Sequence, residues 1–282
     1  ITPIDKNERV DVTTLRRHLD RLIPHVDGVM ALGTSGEFSM LSDNAADEVA
    51  NEVINQVAGR VPVIVGVGDT STARVQSHVQ RAERAGADYV SACCPYYYQS
   101  TPAALRDHFL RIAEDSSIPL ILYNIPRNTV NSLEHETVKE LSGHENIVGI
   151  KDSSGDMIYF SRLLALRSPT FSVLQGASER VASASWSIGM DGYISGLENI
   201  APGAMARIAA AVAAGNKELT AAEQRKMDLL SSLTDHGYWL SALKYAASLL
   251  SGGSGRTYQP LPVLTTVDQA AIKEILSESG LR

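Results

Sequence analysis

One lysine stands at the end of an apolar run, in a position suited to covalent chemistry. Residues 147–150 are apolar or small, and Lys151 and Asp152 follow them directly. A short apolar run bounded by polar segments is typical of a strand buried on both faces of a parallel sheet. In a β/α barrel the carboxyl ends of such strands form the rim of the active site. Desolvation disfavours the ammonium form of a lysine, and the neutral amine is a nucleophile toward ketones.

Lys151 also has a simpler interpretation, an ordinary lysine at a strand end that pairs with Asp152. Tyr123 bears on the choice, because it lies near the end of the preceding predicted strand, at residues 119–124. Adjacent parallel strands are about 5 Å apart, so Tyr123 and Lys151 can face each other at one end of the sheet. A phenol in that place is suited to move the protons that imine formation and C–C cleavage require. A core tyrosine with a hydrogen-bonded hydroxyl is the alternative.

A segment rich in glycine and hydroxyl groups ends another predicted strand. Residues 33–37 read Gly-Thr-Ser-Gly-Glu. The backbone N–H groups of such a turn, together with the hydroxyls of Thr34 and Ser35 beside Gly33, are able to bind an anion such as a carboxylate. A plain turn with a helix-capping serine is the alternative.

Three consecutive tyrosines follow a further predicted strand. Residues 95–98 read Pro-Tyr-Tyr-Tyr after the strand at 88–94. Such a run is unusual for a loop, and tyrosine is also a common interface residue. The segment is therefore a candidate either for the site or for a contact with another subunit.

Strands and helices alternate around these segments. The predicted strands are 27–34, 62–68, 88–94, 119–124, 147–151, 171–176 and 191–195. The helices that follow them are 43–58, 71–85, 102–115, 132–141, 156–167, 178–188 and 202–214. Strict alternation favours a parallel sheet covered by helices. An eighth strand is needed to close a barrel, and residues 1–4 are expected to be its end.

After about residue 215 the alternation stops. Residues 219–233, 236–250 and 266–280 have helical periodicity and few strand signals. We therefore predict an α/β fold, a TIM (β/α)8 barrel at residues 1–215 with a C-terminal helical extension at 216–282 packed on it. An open doubly wound sheet is disfavoured, because no Gly-x-Gly-x-x-Gly opens the first helix.

Composition is ordinary for a soluble globular protein. Apolar residues make up 44% of the 282 residues, charged residues 20%, and the net charge is −7. The negative charge and the lack of a basic run argue against nucleic acid and anionic membranes as partners. No stretch has the length of a membrane span, and the first residues lack the features of a signal peptide. Cys93 and Cys94 are expected to be buried thiols in a reducing cytoplasm.

A metal or another cofactor is not expected. The 7 histidines are scattered without the spacing of metal ligands. An imine formed by a lysine polarises a ketone without the help of a metal ion.

Five motifs together carry a resemblance to a known family. They are Gly-Thr-Ser-Gly-Glu at 33–37, Pro-Tyr-Tyr at 95–97, Leu-Tyr-Asn-Ile-Pro at 122–126, Gly-Ile-Lys-Asp at 149–152 and Gly-Tyr-Ile-Ser-Gly at 192–196. In order and spacing they resemble the dihydrodipicolinate synthase / N-acetylneuraminate lyase family of class I, pyruvate-dependent aldolases. The match covers nearly the whole chain, including its C-terminal helices. It is specific for the superfamily and not for the substrate.

The resemblance implies a TIM barrel that forms a Schiff base between Lys151 and the ketone of pyruvate or another 2-oxo acid. Thr34 and Ser35, beside Gly33, are similar to the residues that hold the carboxylate of the keto acid. Tyr123 is similar to the residue that moves protons in catalysis.

The resemblance also implies a shared site. Ser35 matches the hydroxyl of a proton relay between Tyr123 and a tyrosine of a neighbouring subunit, and by position that tyrosine is Tyr97. Ile194 matches the residue whose backbone carbonyl faces the keto acid. The family typically assembles as a homotetramer of two tight dimers, so Tyr97 is expected to act across the dimer interface.

One position departs from the pattern of the synthases in this family. They carry an arginine two residues after the proline of the Tyr-Asn-x-Pro motif, which binds the carboxylate of aspartate semialdehyde. Here that position is Asn128, and Arg127 comes one residue early. A bidentate clamp on a carboxylate needs a fixed geometry, so we expect Arg127 to point elsewhere. The alternative is that a one-residue shift in the loop brings Arg127 into the site in place of the missing arginine. The Lys-Asp-Ser-Ser-Gly segment at 151–155 resembles the sugar-acid aldolases and dehydratases of the family more closely.

Several functions follow from these patterns. The first is a lyase or aldolase that cleaves or forms a 2-keto-3-deoxy sugar acid, with pyruvate and an aldehyde as its partners. The second is a synthase that condenses pyruvate with aspartate semialdehyde. A dehydratase of keto-deoxy sugar acids is a close relative of the first and uses the same imine. A barrel that only binds a ligand is the non-enzymatic alternative, because fold alone does not fix function.

Overall fold

The computed structural model describes residues 1–281, which contain a seven-stranded sheet and twelve α-helices. The strands lie in the sheet in chain order. They are Val29–Ala31 (β1), Val63–Gly66 (β2), Tyr89–Cys93 (β3), Leu120–Asn124 (β4), Ile147–Asp152 (β5), Ser172–Gln175 (β6) and Gly192–Tyr193 (β7). This is the strand order of an α/β barrel, in which every strand pairs with the next one along the chain.

The helices fall between the strands and after the last of them. The first six are Val12–Leu22 (α1), Asp43–Val57 (α2), Thr72–Ala85 (α3), Pro102–Asp115 (α4), Pro126–Thr129 (α5) and His135–Leu141 (α6). The others are Met157–Leu164 (α7), Ala182–Ser187 (α8), Ala204–Ala213 (α9), Lys217–Ser231 (α10), Trp239–Ser251 (α11) and Thr266–Glu278 (α12).

The chain divides into two compact units. One comprises Ile1–Val61, Glu179–Ala184 and Ser195–Arg282, and the other comprises Pro62–Ser178 and Ser185–Ile194. The second unit contains β2 to β7, all paired in parallel. All five residues of β4 are buried, because helices cover such a sheet and leave neither face to water. Gly86 ends α3 in the left-handed conformation at φ 89°, which turns the chain into β3.

The first unit contains β1 and the complete helices α1, α2, α9, α10, α11 and α12. Asp11 caps α1 by accepting a hydrogen bond from the N–H of Thr14, and Leu15 and Leu19 lie buried on one face of that helix. Thr265 and Asp268 form a capping box at the start of α12. α11 is buried along most of its length, as expected of a helix made almost entirely of apolar and small residues.

The structure contains the predicted strand–helix units and differs from the sequence expectations at three elements. The seven strand–helix units and the three C-terminal helices are confirmed. Residues 1–4 were wrongly expected to be a strand of the sheet: Ile4 forms only an isolated antiparallel bridge with Val10. Pro3 has no N–H to donate, and its carbonyl accepts from Asp11, so this segment pairs within its own hairpin. Helices α1 and α5 were not predicted, and the division of the chain at residue 215 stays a prediction.

Candidate active site

Lys151 and Tyr123 lie side by side at the carboxyl ends of neighbouring strands. Their Cα atoms are register partners in β5 and β4. The Nζ of Lys151 is 4.2 Å from the centroid of the Tyr123 ring. Lys151 is 6% exposed and Tyr123 4%, so the amine contacts the aromatic face with little water between them. The juxtaposition predicted from the strand ends is confirmed.

The same register continues on both sides of this pair. Cys93 is the partner of Tyr123, and Leu174 is the partner of Lys151. Register partners in a parallel sheet share a face, so these four side chains form one row. Burial raises the pKa of the Cys93 thiol to about 12, which keeps it neutral and unsuited to act as a base or nucleophile. Cys93 and Cys94 are both free and buried, as expected.

Asp152 does not pair with Lys151 within the described chain. As the next residue of the strand it points to the other face of the sheet, where its carboxylate accepts from Asn124 Nδ2 at 2.8 Å. The N–H and hydroxyl of Ser154 donate to the same carboxylate at 3.3 and 2.8 Å. Burial raises the pKa of Asp152 and outweighs these hydrogen bonds. The interpretation of Lys151 as a strand-end lysine paired with Asp152 was therefore wrong.

The tyrosine loop after β3 is held by one asparagine. Asn131 Nδ2 donates to the carbonyls of Pro95 and Tyr98 at 2.6 and 2.8 Å, and its Oδ1 accepts from Ser100 at 2.8 Å. Tyr97 has a φ of 85° and is 79% exposed. A tyrosine in the left-handed region is strained, and strain of this kind persists only where surrounding contacts hold it. The loop thus presents the Tyr97 ring outward.

The glycine–hydroxyl turn belongs to the first unit. Thr34–Gly36 form a turn of 3-10 helix, closed by a hydrogen bond from the Gly36 N–H to the Gly33 carbonyl at 2.9 Å. Glu37 follows in the left-handed conformation, at φ 59°. The hydroxyl of Thr2 donates to the Gly36 carbonyl at 2.7 Å. The turn is therefore a fixed structure, with Ser35 at its centre.

Glu37 anchors this turn through two buried contacts. Its Oε2 pairs with Lys244 Nζ, and its Oε1 accepts from the N–H of Tyr258 at 2.8 Å. Both side chains of the pair are almost completely buried, and burial lowers the pKa of Lys244. Glu37 thus supports the turn, and sequence reasoning missed its partner. The available signal was a single lysine inside the otherwise apolar and small α11.

Comparison with known proteins gives the family. The model of the dihydrodipicolinate synthetase family matches residues 1–279. The chain belongs to this family. Members of it are lyases, and this protein is one. It is 34% identical over 280 residues to 4-hydroxy-tetrahydrodipicolinate synthase of Xanthomonas axonopodis pv. citri, which covers 99% of this chain and 92% of that protein. It is 31% identical over 282 residues to an uncharacterized DapA-like lyase of Halobacterium salinarum, with 100% and 92% covered.

Solved structures of the dihydrodipicolinate synthase family share the fold. The enzyme of Acinetobacter baumannii complexed with pyruvate superposes with a TM-score of 0.94 at 30% identity, over 100% of this chain and 97% of that one. YagE of E. coli K12, also in complex with pyruvate, gives a TM-score of 0.94 at 28% identity, over 100% and 96%. The predicted fold class, a TIM barrel with a C-terminal helical part, is thereby confirmed.

The segment that begins at Pro126 is the short helix α5. Asn128 and Arg127 both lie on it and are exposed. Thr129 Oγ1 donates to the carbonyl of Ile125 at 3.0 Å and lies 2.7 Å from the carbonyl of Asn131. Val130 then takes the left-handed conformation at φ 52°. The backbone of α5 is therefore held by hydrogen bonds within its own segment.

The remaining predicted residue, Ile194, follows β7. Its N–H donates to the carbonyl of Gln175 at 2.9 Å, which fixes the backbone in the middle of the Gly-Tyr-Ile-Ser-Gly motif at 192–196. In the first unit, Glu179 Oε1 accepts from Ser195 Oγ at 2.7 Å and from the N–H groups of Gly196 and Leu197 at 3.1 and 3.3 Å. Glu179 was not predicted as part of this segment.

In residues 1–281 no three His, Cys, Asp or Glu side chains are grouped so that they could hold a metal ion. Within the same range, no helix is both long and apolar enough to cross a bilayer.

Proposed function

We propose that this protein is a class I aldolase or lyase that forms an imine between Lys151 and pyruvate or a 2-keto-3-deoxy sugar acid. The observation that carries this proposal is the contact of 4.2 Å between Lys151 Nζ and the Tyr123 ring, on adjacent strands. Two solved relatives described as complexes with pyruvate support the choice of ligand.

Lys151 supplies the nucleophile. Its neutral amine attacks the ketone carbon, the former carbonyl oxygen takes up protons and leaves as water, and an iminium remains. In the cleavage direction the bond between the α and β carbons of the iminium breaks, and its electrons form an enamine, while the hydroxyl of the departing fragment loses its proton and becomes an aldehyde. The enamine then takes up a proton, and water releases the 2-oxo acid from Lys151. The phenol of Tyr123 lies beside the amine. It is suited to give a proton to the former carbonyl oxygen and to take one from the hydroxyl of the departing fragment.

The carboxylate site and the shared relay are proposed from the family resemblance. Thr34 and Ser35, in the turn that begins at Gly33, would bind the carboxylate of the keto acid, and the carbonyl of Ile194 would face it. Ser35 would connect Tyr123 with Tyr97 of a neighbouring subunit in a homotetramer. The exposure and outward position of Tyr97 support this role. The free, buried thiols are compatible with the expected reducing cytoplasm.

The proposed aldolase and the alternative synthase differ in their second substrate. Asn128 at the position of the synthases' arginine favours an acceptor without a carboxylate at that point, as expected of a sugar-acid aldolase. The identity of 34% to a 4-hydroxy-tetrahydrodipicolinate synthase favours the alternative, condensation of pyruvate with aspartate semialdehyde. A dehydratase of keto-deoxy sugar acids uses the same imine and differs in the bond that breaks.

Borohydride reduction in the presence of pyruvate, followed by peptide mass mapping, tests the proposal. We expect a pyruvyl adduct on Lys151, which leaves the second substrate to be screened with unreduced protein, aspartate semialdehyde against a panel of keto-deoxy sugar acids. An adduct with a longer keto acid and none with pyruvate favours the dehydratase. Absence of an adduct with any 2-oxo acid overturns the imine mechanism and leaves the non-catalytic barrel.

A further inference from the structure

The glycine that follows β6 lies directly against the reactive lysine. A Cβ added to Gly176 would lie 2.3 Å from Lys151 Cε and 3.0 Å from Lys151 Cγ. It would also lie 2.7 Å from Ser153 Oγ. Carbon atoms in favourable contact are about 3.5 to 4.0 Å apart, so no side chain fits here while Lys151 keeps its place. The carbon that bears the reactive amine therefore packs on the backbone of Gly176.

The backbone of Gly176 is held on both sides and does not itself require glycine. Its N–H donates to the carbonyl of Asp152 at 2.8 Å, and its carbonyl accepts from Ser153 Oγ at 2.7 Å. Gly176 is not among the glycines in the left-handed region of φ, so an alanine can adopt this conformation. The conflict that an alanine would create is therefore with the side chains of Lys151 and Ser153.

We propose that Gly176 is a positioning residue for Lys151, and that the space left by its missing side chain sets the amine over the Tyr123 ring. This inference rests on the proposed imine function. A methyl group at residue 176 displaces Lys151 Cε and moves Nζ from its place 4.2 Å above the ring centroid. The displaced atoms belong to the end of a flexible side chain, so the fold tolerates the change better than the chemistry does.

The expected effect follows from the sensitivity of reactions to alignment. A misplacement of about 1 Å can slow a positioned reaction on the order of 100-fold. We expect Gly176→Ala to lower the limiting rate of imine formation on that order. The pyruvate concentration for half-maximal rate should change much less, because the proposed carboxylate site at Thr34 and Ser35 keeps its residues. A general loss of folding would lower the limiting rate together with the melting temperature, whereas a displaced amine lowers the limiting rate alone.

The experiment compares three full-length proteins: the parent, Gly176→Ala and the control Gly143→Ala. Gly143 is exposed, lies before β5 at the end opposite Lys151, and a Cβ there would lie 3.4 Å from the carbonyl oxygen of Glu140. Each protein is mixed with pyruvate at several concentrations, and the adduct on Lys151 is trapped with borohydride and quantified by peptide mapping. A limiting rate for Gly176→Ala within twofold of the parent and the control overturns the inference.

Two further measurements keep the test decisive. If Gly176→Ala is unstable, Lys151→Ala and Ser153→Ala are each added to it. Recovery of the melting temperature with Lys151→Ala assigns the conflict to Lys151, and recovery only with Ser153→Ala, or with neither, overturns the inference. If the parent forms no adduct with any 2-oxo acid, the proposed function fails by itself. The position of Lys151 is then read from its rate of reductive methylation with formaldehyde. A rate in Gly176→Ala equal to that of the parent overturns the inference, and a rate changed at least threefold supports it.

Discussion

Asn124 and Asp152 are joined side chain to side chain, with 2.8 Å between Nδ2 and Oδ1. Each is the residue that follows Tyr123 or Lys151 on its strand, so the bond lies on the opposite face of the sheet. The Asn124 Oδ1 also accepts from the N–H of Leu133 at 3.1 Å. This hydrogen bond ties the ends of β4 and β5 together directly behind the proposed catalytic pair.

The pKa of Asp152 gives a prediction about stability. Burial raises it above the ordinary value of 3.8, so the folded chain takes up this proton more readily than the unfolded chain. The stability of the parent relative to Asp152→Asn should therefore fall as the pH rises from about 3.8 through the raised pKa, and stay constant above it. Urea unfolding of both proteins from weakly acid to neutral pH measures this difference. A parent that gains stability relative to Asp152→Asn as the pH rises contradicts the prediction. Asp107→Asn, at an exposed site, is the control.

Lys151 and Tyr123 should differ in how their loss affects catalysis. Lys151→Ala is expected to remove both the trapped adduct and turnover, because no other group can form the imine. Tyr123→Phe keeps the ring beside the amine and loses only the hydroxyl, so turnover should fall about 10²- to 10⁴-fold. Tyr89→Phe, at the start of β3, is the matched control and should retain turnover. Full activity of Tyr123→Phe would exclude a proton-transfer role.

Tyr97 is predicted to act in the site of a neighbouring subunit. Tyr97→Phe and Lys151→Ala should each be inactive or strongly impaired alone. After subunit exchange, a mixed dimer has one site with an intact lysine and an intact tyrosine, so activity should reappear. If Tyr97 served its own subunit, no mixed site would be complete and no activity would return. Tyr98→Phe, at the equally exposed neighbour, serves as the control, and ultracentrifugation reports the assembly.

The buried pair of Glu37 and Lys244 should be critical for stability. Lys244→Met leaves a buried carboxylate without its cation and is expected to cost about 3–5 kcal/mol in chemical unfolding. Adding Glu37→Gln should restore part of that loss, because the uncompensated charge is gone. Arg106→Ala removes exposed ion pairs with Asp107 and Glu140 and should change stability far less than Lys244→Met does. An equal effect of Lys244→Met and Arg106→Ala would show that the buried pair has no special weight.

The acceptor preference can be probed at Asn128. Asn128→Arg places a guanidinium at the position that the family resemblance assigns to the synthases' arginine, and we expect condensation with aspartate semialdehyde to increase over the parent. Cleavage of a keto-deoxy sugar acid should not increase in the same variant. Asn128→Gln is the control for side-chain length. If the parent already turns over aspartate semialdehyde well and Asn128→Arg adds nothing, the protein is a synthase that does not depend on this position.

Much of the fold and of the site was predictable from local sequence patterns. Apolar runs alternating with amphipathic stretches determined the strand–helix units, because the periodicity of buried residues is set within each segment. The position of Lys151 and Tyr123 at the ends of successive strands predicted their contact, since adjacent parallel strands have a fixed spacing. The turn at 33–37 and the tyrosine loop were visible for the same reason.

Other features depended on the tertiary structure. The partner of Glu37 lies 207 residues away, and no local pattern couples such positions. The strained φ of Tyr97 is held by Asn131, and the hairpin at Ile4 and Val10 replaced an expected strand. The closeness of Gly176 to Lys151 arises from the register of β5 against β6. Sequence periodicity fixes which face of an element is buried, but only packing between distant segments decides which atoms meet there.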